Sequence, residues 1–234
     1  MNVDLNADVG EGAGTDAELM PWITSANVCC GFHAGDAETS AKTLELAKKH
    51  GVVCGAHPGF ADRANFGRVE HPLDLHGSFE LCNEQVSHLH AQSDFIGHPI
   101  RYVKPHGAIY HLAIRKAEVA MGLAWAMSMM ENLSLVGLPN SQMELAAMEN
   151  GIFFIPEGFA DRRYLPDGTL VPRSEPNALL HDPKEVVEQV EWLVREKNVR
   201  TICVHGDTPG AVEFVRKVRE SLLAKGHTIR AFAE

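Results

Sequence analysis

Parallel β/α architecture closing into a seven-stranded, TIM-like barrel is the fold class this sequence predicts, on three observations. Short apolar runs rich in β-branched residues recur along the chain, and helical patterns with legible ends lie between several of them. The runs are continuous rather than alternating, as in a sheet covered on both faces. They occupy residues 2–7, 26–30, 52–56, 101–105, 133–138, 152–156 and 201–204. An open doubly wound sheet is the competing arrangement, because periodicity does not decide whether a sheet closes.

The helices follow in order. One begins near Glu38 and ends at Lys48-Lys49-His50, cations that suit a helix C-terminus, followed by Gly51. Ser141 with Glu144 has the spacing of a capping box, and that helix stops at Asn150-Gly151. Asp182 caps a third helix with Pro183 in its first turn, and Val186, Val187, Val190, Leu193 and Val194 fall on one stripe. Residues 211–225 form another, with Val215, Val218 and Leu222 on one face and Gly226 beyond. Residues 58–78 and 158–180, rich in Gly, Pro and charge, are expected to be ordered loops over a site. With no linker or low-complexity segment, residues 1–234 read as a single domain.

The 234 residues are 45% hydrophobic and 22% charged, enough to bury a sizeable core. No run approaches the roughly 18 apolar residues of a membrane span, and the first residues have neither a basic nor an apolar signal region. A net charge of −10, from 31 acidic and 21 basic residues, argues against a nucleic-acid surface and points to small substrates or protein partners. Cys29, Cys30, Cys54, Cys82 and Cys203 are odd in number and contain no C-x-x-C, so reduced thiols and a cytoplasmic location are expected.

In β/α folds ligands bind beyond the carboxyl ends of the strands. Those positions are polar here: Asp8 and Glu11 after the first run, His33 after the second, His57 after the third, Lys104 and His106 after the fourth. Glu157, Asp161 and Arg162 follow the sixth, and His205 and Asp207 the seventh. Each stands close to a glycine, which lets backbone approach a ligand. A lone histidine after a strand is usually a satisfied hydrogen-bonding residue; four converging with carboxylates and a lysine make a site. Arg63 and Arg68, in a Gly-containing stretch, suit a carboxylate clamp or a solvated loop equally. The remaining histidines, His111 among them, have no strand-end placement, and Cys29, Cys30 and Cys203 read as small core residues. Walker, Rossmann, nucleophile-elbow and H-E-x-x-H motifs are absent; Gly10-Glu11-Gly12-Ala13-Gly14 is an ambiguous phosphate nest.

These strings carry a resemblance. Asp4-Leu5-Asn6-Ala7-Asp8-Val9-Gly10-Glu11-Gly12, Ser25-Ala26-Asn27-Val28-Cys29-Cys30-Gly31-Phe32-His33-Ala34-Gly35-Asp36, Gly55-Ala56-His57-Pro58-Gly59-Phe60, Val103-Lys104-Pro105-His106-Gly107-Ala108, Phe159-Ala160-Asp161-Arg162 and Cys203-Val204-His205-Gly206-Asp207 run in order over nearly the whole chain. The sequence resembles the LamB/YcsF family. That resemblance implies an irregular seven-stranded β/α barrel of the glycoside hydrolase/deacetylase superfamily. It also implies participation in ATP-dependent hydrolysis of the lactam 5-oxo-L-proline to L-glutamate, with ATP and Mg2+ as co-substrate and 5-oxoprolinase subunits B and C as partners.

A lactam is a stable amide, and a coupled route phosphorylates its oxygen, adds water, expels phosphate and opens the ring. Under the resemblance Lys104, with His106 beside it, is the candidate for stabilising the phosphoryl group or oxyanion, and His33 or His57 for activating water. Asp8 and Glu11 are candidates for orienting a histidine or taking the proton, and Arg68 or Arg162 for holding the substrate carboxylate. The chain departs from the family at Phe66-Gly67-Arg68-Val69, where relatives commonly carry a second Arg, and residues 76–99 match least. A rival reading is a metal-dependent deacetylase or amidohydrolase acting without ATP, with Asp8, His33 and His57 as ligands; no two of the 13 histidines show the four-residue spacing such enzymes use. A further alternative is a binding protein whose catalysis lies in its partners.

Overall fold

The computed structural model describes residues 1–172, 175–204 and 210–233. Seven parallel strands make the barrel: β1 (Asn2–Val9), β2 (Ser25–Cys29), β3 (Val53–His57), β4 (Tyr102–Val103), β5 (Ser134–Gly137), β6 (Phe154–Phe159) and β7 (Thr201–Cys203). Each pairs with the next, and β1 pairs with both β2 and β7, so the sheet closes and the open alternative falls away. Asn6 stands opposite Ser25 on one side and Cys203 on the other. A short β8 (Thr228–Ile229), not expected from the sequence, adds to the first residues of β1. The barrel is irregular, since β4 has two residues where β1 has eight.

Around it lie α1 (Asp16–Leu19), α2 (Ala37–His50), α3 (Leu75–Ile96), α4 (Gly107–Arg115), α5 (Ala117–Ser128), α6 (Gln142–Glu149), α7 (Pro183–Glu196) and α8 (Ala211–Ala224). The capping signals hold at α2, which ends on left-handed Gly51, and at α7, where the Asp182 carboxylate accepts from the Lys184 N–H. They slip at α6: Glu144 accepts from the Asn140 N–H instead of that of Ser141, and the buried Ser141 hydroxyl makes no hydrogen bond. The expected loop over residues 58–78 ends at Asp74, whose carboxylate caps α3. Nothing in the apolar pattern announces that 22-residue helix, because its inner face buries Ser78, Gln85 and Ser93 beside Cys82, Val86 and Leu89.

The strands are not uniformly apolar. Along β1, Val3, Leu5, Ala7 and Val9 join the apolar core under the helices, whereas Asp4 and Asn6 are buried inside the barrel. Period-two alternation therefore replaces the continuous run read from the sequence, and it does so because the lumen is itself polar. A separate apolar plug of Tyr102, Val136 and Ile155, with Val53 and Phe232 against it, fills another part of the barrel. All five cysteines are free and buried, and no helix of the described residues is long and apolar enough to cross a membrane.

Candidate functional site

Lys104 follows β4 and turns inward at the mouth of the barrel. Its Nζ lies 2.8 Å from Glu157 Oε1 on β6 and 3.1 Å from each of Asp8 Oδ1, Asn6 Oδ1 and Cys203 Sγ. Burial opposes charge on the amine, but the Asp8 and Glu157 carboxylates hold its pKa well above the ordinary value, so it is an ammonium. The Cys203 thiol is pushed up well above its usual range by burial and stays protonated. Two strand asparagines fix this arrangement. Asn27 Nδ2 donates to both Asn6 Oδ1 and Asp8 Oδ1 at 2.7 Å, and the Tyr102 hydroxyl donates to Asn27 Oδ1 at 2.8 Å. Asn6 Nδ2 donates to Glu157 Oε1 and Thr201 Oγ1. Further along the lumen, the Asp4 carboxylate accepts from the hydroxyls of Thr24, Ser25 and Thr201; burial nevertheless pushes its pKa up to about 6.

Beside the ammonium stands a cluster of three imidazoles and one carboxylate. His57 Nδ1 donates to the Lys104 carbonyl at 2.7 Å, and His106 Nε2 donates to the Phe66 carbonyl at 2.8 Å. A carbonyl only accepts, so these bonds fix the tautomers and leave His57 Nε2 and His106 Nδ1 facing each other at 3.0 Å. Glu11 Oε1 lies 3.1 Å from His33 Nε2, 3.4 Å from His106 Nδ1 and 4.0 Å from His57 Nε2. The rings of His33 and His106 stack at 3.8 Å. Burial and the neighbouring His57 hold His33 down to about 3 and His106 to about 2. Burial also works against a charge on His57, but Asp8, whose Oδ2 is 3.4 Å away, raises it.

The loops leave room for these rings. A Cβ at Gly59 would lie 2.6 Å from His33 Nδ1, and one at Gly67 would lie 3.0 Å from His33 Cβ and 3.1 Å from His106 Cδ2. Gly67 also holds φ at +63°, the left-handed region that a side chain disfavours. The cluster opens on a cavity of about 690 Å³ lined by Asp8, Glu11, His57, Lys104 and His106 together with Arg68, Arg115, Phe159 and Arg162.

Comparison with known proteins fits this geometry to a family. The LamB/YcsF family model matches residues 3–234. The chain belongs to the LamB/YcsF family. It is 39% identical to the A component of the 5-oxoprolinase of Oceanobacillus iheyensis over 97% of this chain and 96% of that protein. The lactam utilization protein of Thermus thermophilus superposes with a TM-score of 0.92 at 40% identity, covering 99% of this chain and 100% of that one. A family 4 carbohydrate esterase from Streptomyces lividans shares the fold alone, with a TM-score of 0.51 at 11% identity over 99% of this chain and 93% of that one.

Within this LamB/YcsF barrel, Asp8, Glu11, His57, Lys104, His106, Arg68 and Arg162 all reach the cavity wall. Glu157 and His33 do not: Glu157 is wholly buried beneath Lys104, and His33 lies behind His106 with no exposed surface. His33 is therefore no base for a water in the cavity, because the ring that covers it stands between them. Asp161 is half-buried and does not line the cavity, unlike its neighbour Arg162. His205 and Asp207 lie outside the described residues. The proposed nest at Gly10 is compromised, since the Gly10 N–H donates to the Asp16 carboxylate at 2.9 Å. Arg63 is a tie between loops, donating to the carbonyls of Gly31 and Gly35. The metal set of Asp8, His33 and His57 is not the one assembled, because Glu11 and His106 join the two histidines while Asp8 Oδ1 is bound to Lys104 and Asn27.

Sequence reasoning missed the lumen residues Asn6, Asn27 and Tyr102, and His111 and Arg115 on the cavity wall. A signal for the last two existed: α4 starts directly after the Lys104-Pro105-His106 string, and Gly107, His111 and Arg115 recur at four-residue spacing along it.

Proposed function

We propose that this LamB/YcsF chain is the A component of an ATP-dependent 5-oxoprolinase, a hydrolase that opens the lactam ring of 5-oxo-L-proline to L-glutamate while cleaving ATP to ADP and phosphate. The carrying observation is Lys104, a buried ammonium held between Asp8 and Glu157 at the wall of a cavity that Arg68, Arg115 and Arg162 also line. The substrate has one carboxylate and one unreactive amide. Arg162, buried and anchored by a 2.7 Å bond to the Val171 carbonyl, and Arg68, set over the Phe66 ring, are placed to take the carboxylate.

Transfer of the ATP γ-phosphoryl group to the lactam oxygen releases ADP and makes the ring carbon electrophilic. Addition of water there, departure of the ring nitrogen with a proton, and hydrolysis of the resulting acyl phosphate by a second water give glutamate and phosphate. Lys104 stabilises the negative charge gathering on the oxygen, with no reorganisation needed because three acceptors already fix the ammonium. Asp8, the more exposed of its two carboxylate partners, takes the proton from the attacking water. The relatives are named as one lettered component of an enzyme, which points to a multi-component assembly, so ATP-dependent turnover is assigned to the complex with subunits B and C. The test is glutamate release from 5-oxo-L-proline and ATP by this chain alone and then with both partners. Turnover confined to the full mixture, and lost with Lys104→Met, is the expected result; no turnover in any mixture overturns the reading.

A further inference from the structure

The geometry points to a site for one divalent transition-metal ion of the zinc class, held by Glu11, His33, His57 and His106. The four offered ligand atoms all lie within 4.8 Å of one another, and the three histidines are buried. Four ligands at the roughly 2.0–2.2 Å typical of zinc stand about 3.3 Å apart in a tetrahedron. Here Glu11 Oε1 is 3.1 Å from His33 Nε2, 3.4 Å from His106 Nδ1 and 4.0 Å from His57 Nε2, and His57 Nε2 is 3.0 Å from His106 Nδ1, so three of these four separations match and the Glu11–His57 one must shorten around an ion.

The outer bonds carry the argument further. Metal-binding imidazoles characteristically donate their second N–H to a carbonyl or carboxylate, which turns the lone pair of the other nitrogen toward the ion. His57 does this to the Lys104 carbonyl and His106 to the Phe66 carbonyl. With both rings neutral, the lone pairs of His57 Nε2 and His106 Nδ1 face each other at 3.0 Å and repel unless a proton or a cation sits between or beside them. A single shared proton satisfies that pair, but it leaves unexplained why Glu11 and His33 converge on the same point. Three nitrogens and one carboxylate oxygen suit a borderline cation such as Zn2+, Co2+ or Ni2+, whereas Mg2+ and Ca2+ favour oxygen donors. Glu11, His57 and His106 also line the cavity beside Lys104. An ion closed by four protein ligands would tie the ends of β1, β2, β3 and β4 together beside the ammonium, as structural zinc sites do.

The inference stands apart from the lactam reading, because it is read on the purified chain without substrate, ATP or partners. The chain is stripped with chelator, titrated with Co2+ and Zn2+, and followed by elemental analysis, visible absorption and thermal unfolding. The expected result is one equivalent of metal per chain, cobalt bands of a low-symmetry nitrogen site, and a Tm raised by Zn2+. Glu11→Gln and His106→Asn, each with an unchanged far-ultraviolet circular dichroism spectrum, should weaken Zn2+ binding by ~100-fold or more. If His106→Asn fails to fold, Glu11→Gln alone decides. Sub-stoichiometric metal, or wild-type affinity in Glu11→Gln, overturns the site and leaves a proton-sharing histidine pair.

Discussion

Along β1 the odd-numbered side chains Val3, Leu5, Ala7 and Val9 pack under the helices, while Asp4, Asn6 and Asp8 turn inward and bond to residues of β2, β6 and β7 and to Lys104 just beyond β4. The shell and the lumen of the same barrel thus use different physics. In the shell, burial of Leu44, Leu89, Val190 and Leu222 stabilises in proportion to area and asks only for complementary shape. In the lumen, where β/α barrels usually stack branched aliphatic side chains, stability depends on each polar atom finding its partner. The lumen gives up apolar burial to hold Lys104, Asp8 and the imidazoles in place before a ligand arrives. Shell substitutions should therefore lower stability alone, and lumen substitutions should also lower activity.

The largest effect is expected at Lys104. Lys104→Met leaves the wholly buried Glu157 carboxylate without its cation, which should destabilise the fold by ~3–5 kcal/mol and reduce turnover ~1000-fold. Adding Glu157→Gln should restore much of the stability in a denaturant titration and none of the turnover. Turnover within tenfold of wild type in the single variant would erase the distinction between the two regions. Next is the shell: Leu44→Ala, at a side chain with no exposed surface, should lower stability by ~2–5 kcal/mol in chemical denaturation. Its turnover per folded molecule should match wild type; a fall there would show that the shell also sets site geometry.

Asp4 sharpens the comparison through pH. Its folded pKa, about 6 against an ordinary 3.8, means the folded state keeps a proton that the unfolded chain has lost. Stability should be highest below about pH 4 on this account and fall as pH rises to about 6, by up to ~3 kcal/mol, as burial beside Glu157 comes to bear on the charged form. Asp4→Asn should flatten that component, read as the wild-type minus variant difference in unfolding free energy across pH 4–7. A constant difference would show that the carboxylate is already solvated. The smallest effect lies furthest from the lumen: Asp74→Ala, which removes the cap at the Gly77 N–H, should cost about 1 kcal/mol and leave turnover unchanged.

The strand-end part of the cavity wall is legible in the sequence because the residues after each strand carry the chemistry in β/α folds, and here they are ionisable and set among glycines. That logic reaches Asp8, Glu11, His57, Lys104 and His106 without structure. It does not separate His33 and Glu157, which lie behind the wall, from those that form it, because depth depends on which ring stacks over which. It also overlooks α3, whose inner face is polar, and the period-two pattern of β1, which a continuous-run reading absorbs.

The strand count of the barrel proper, several helix ends and the family follow from local propensity, caps and contiguous motifs, all of which are written in the chain order. Closure is settled in three dimensions, because pairing of β1 with β7 joins residues about two hundred positions apart and leaves no local trace. Tertiary structure likewise decided that Glu11 and His106, from the loops after β1 and β4, meet His33 and His57 around one point. Such convergence is a property of the closed barrel, in which distant strand ends are brought into one ring.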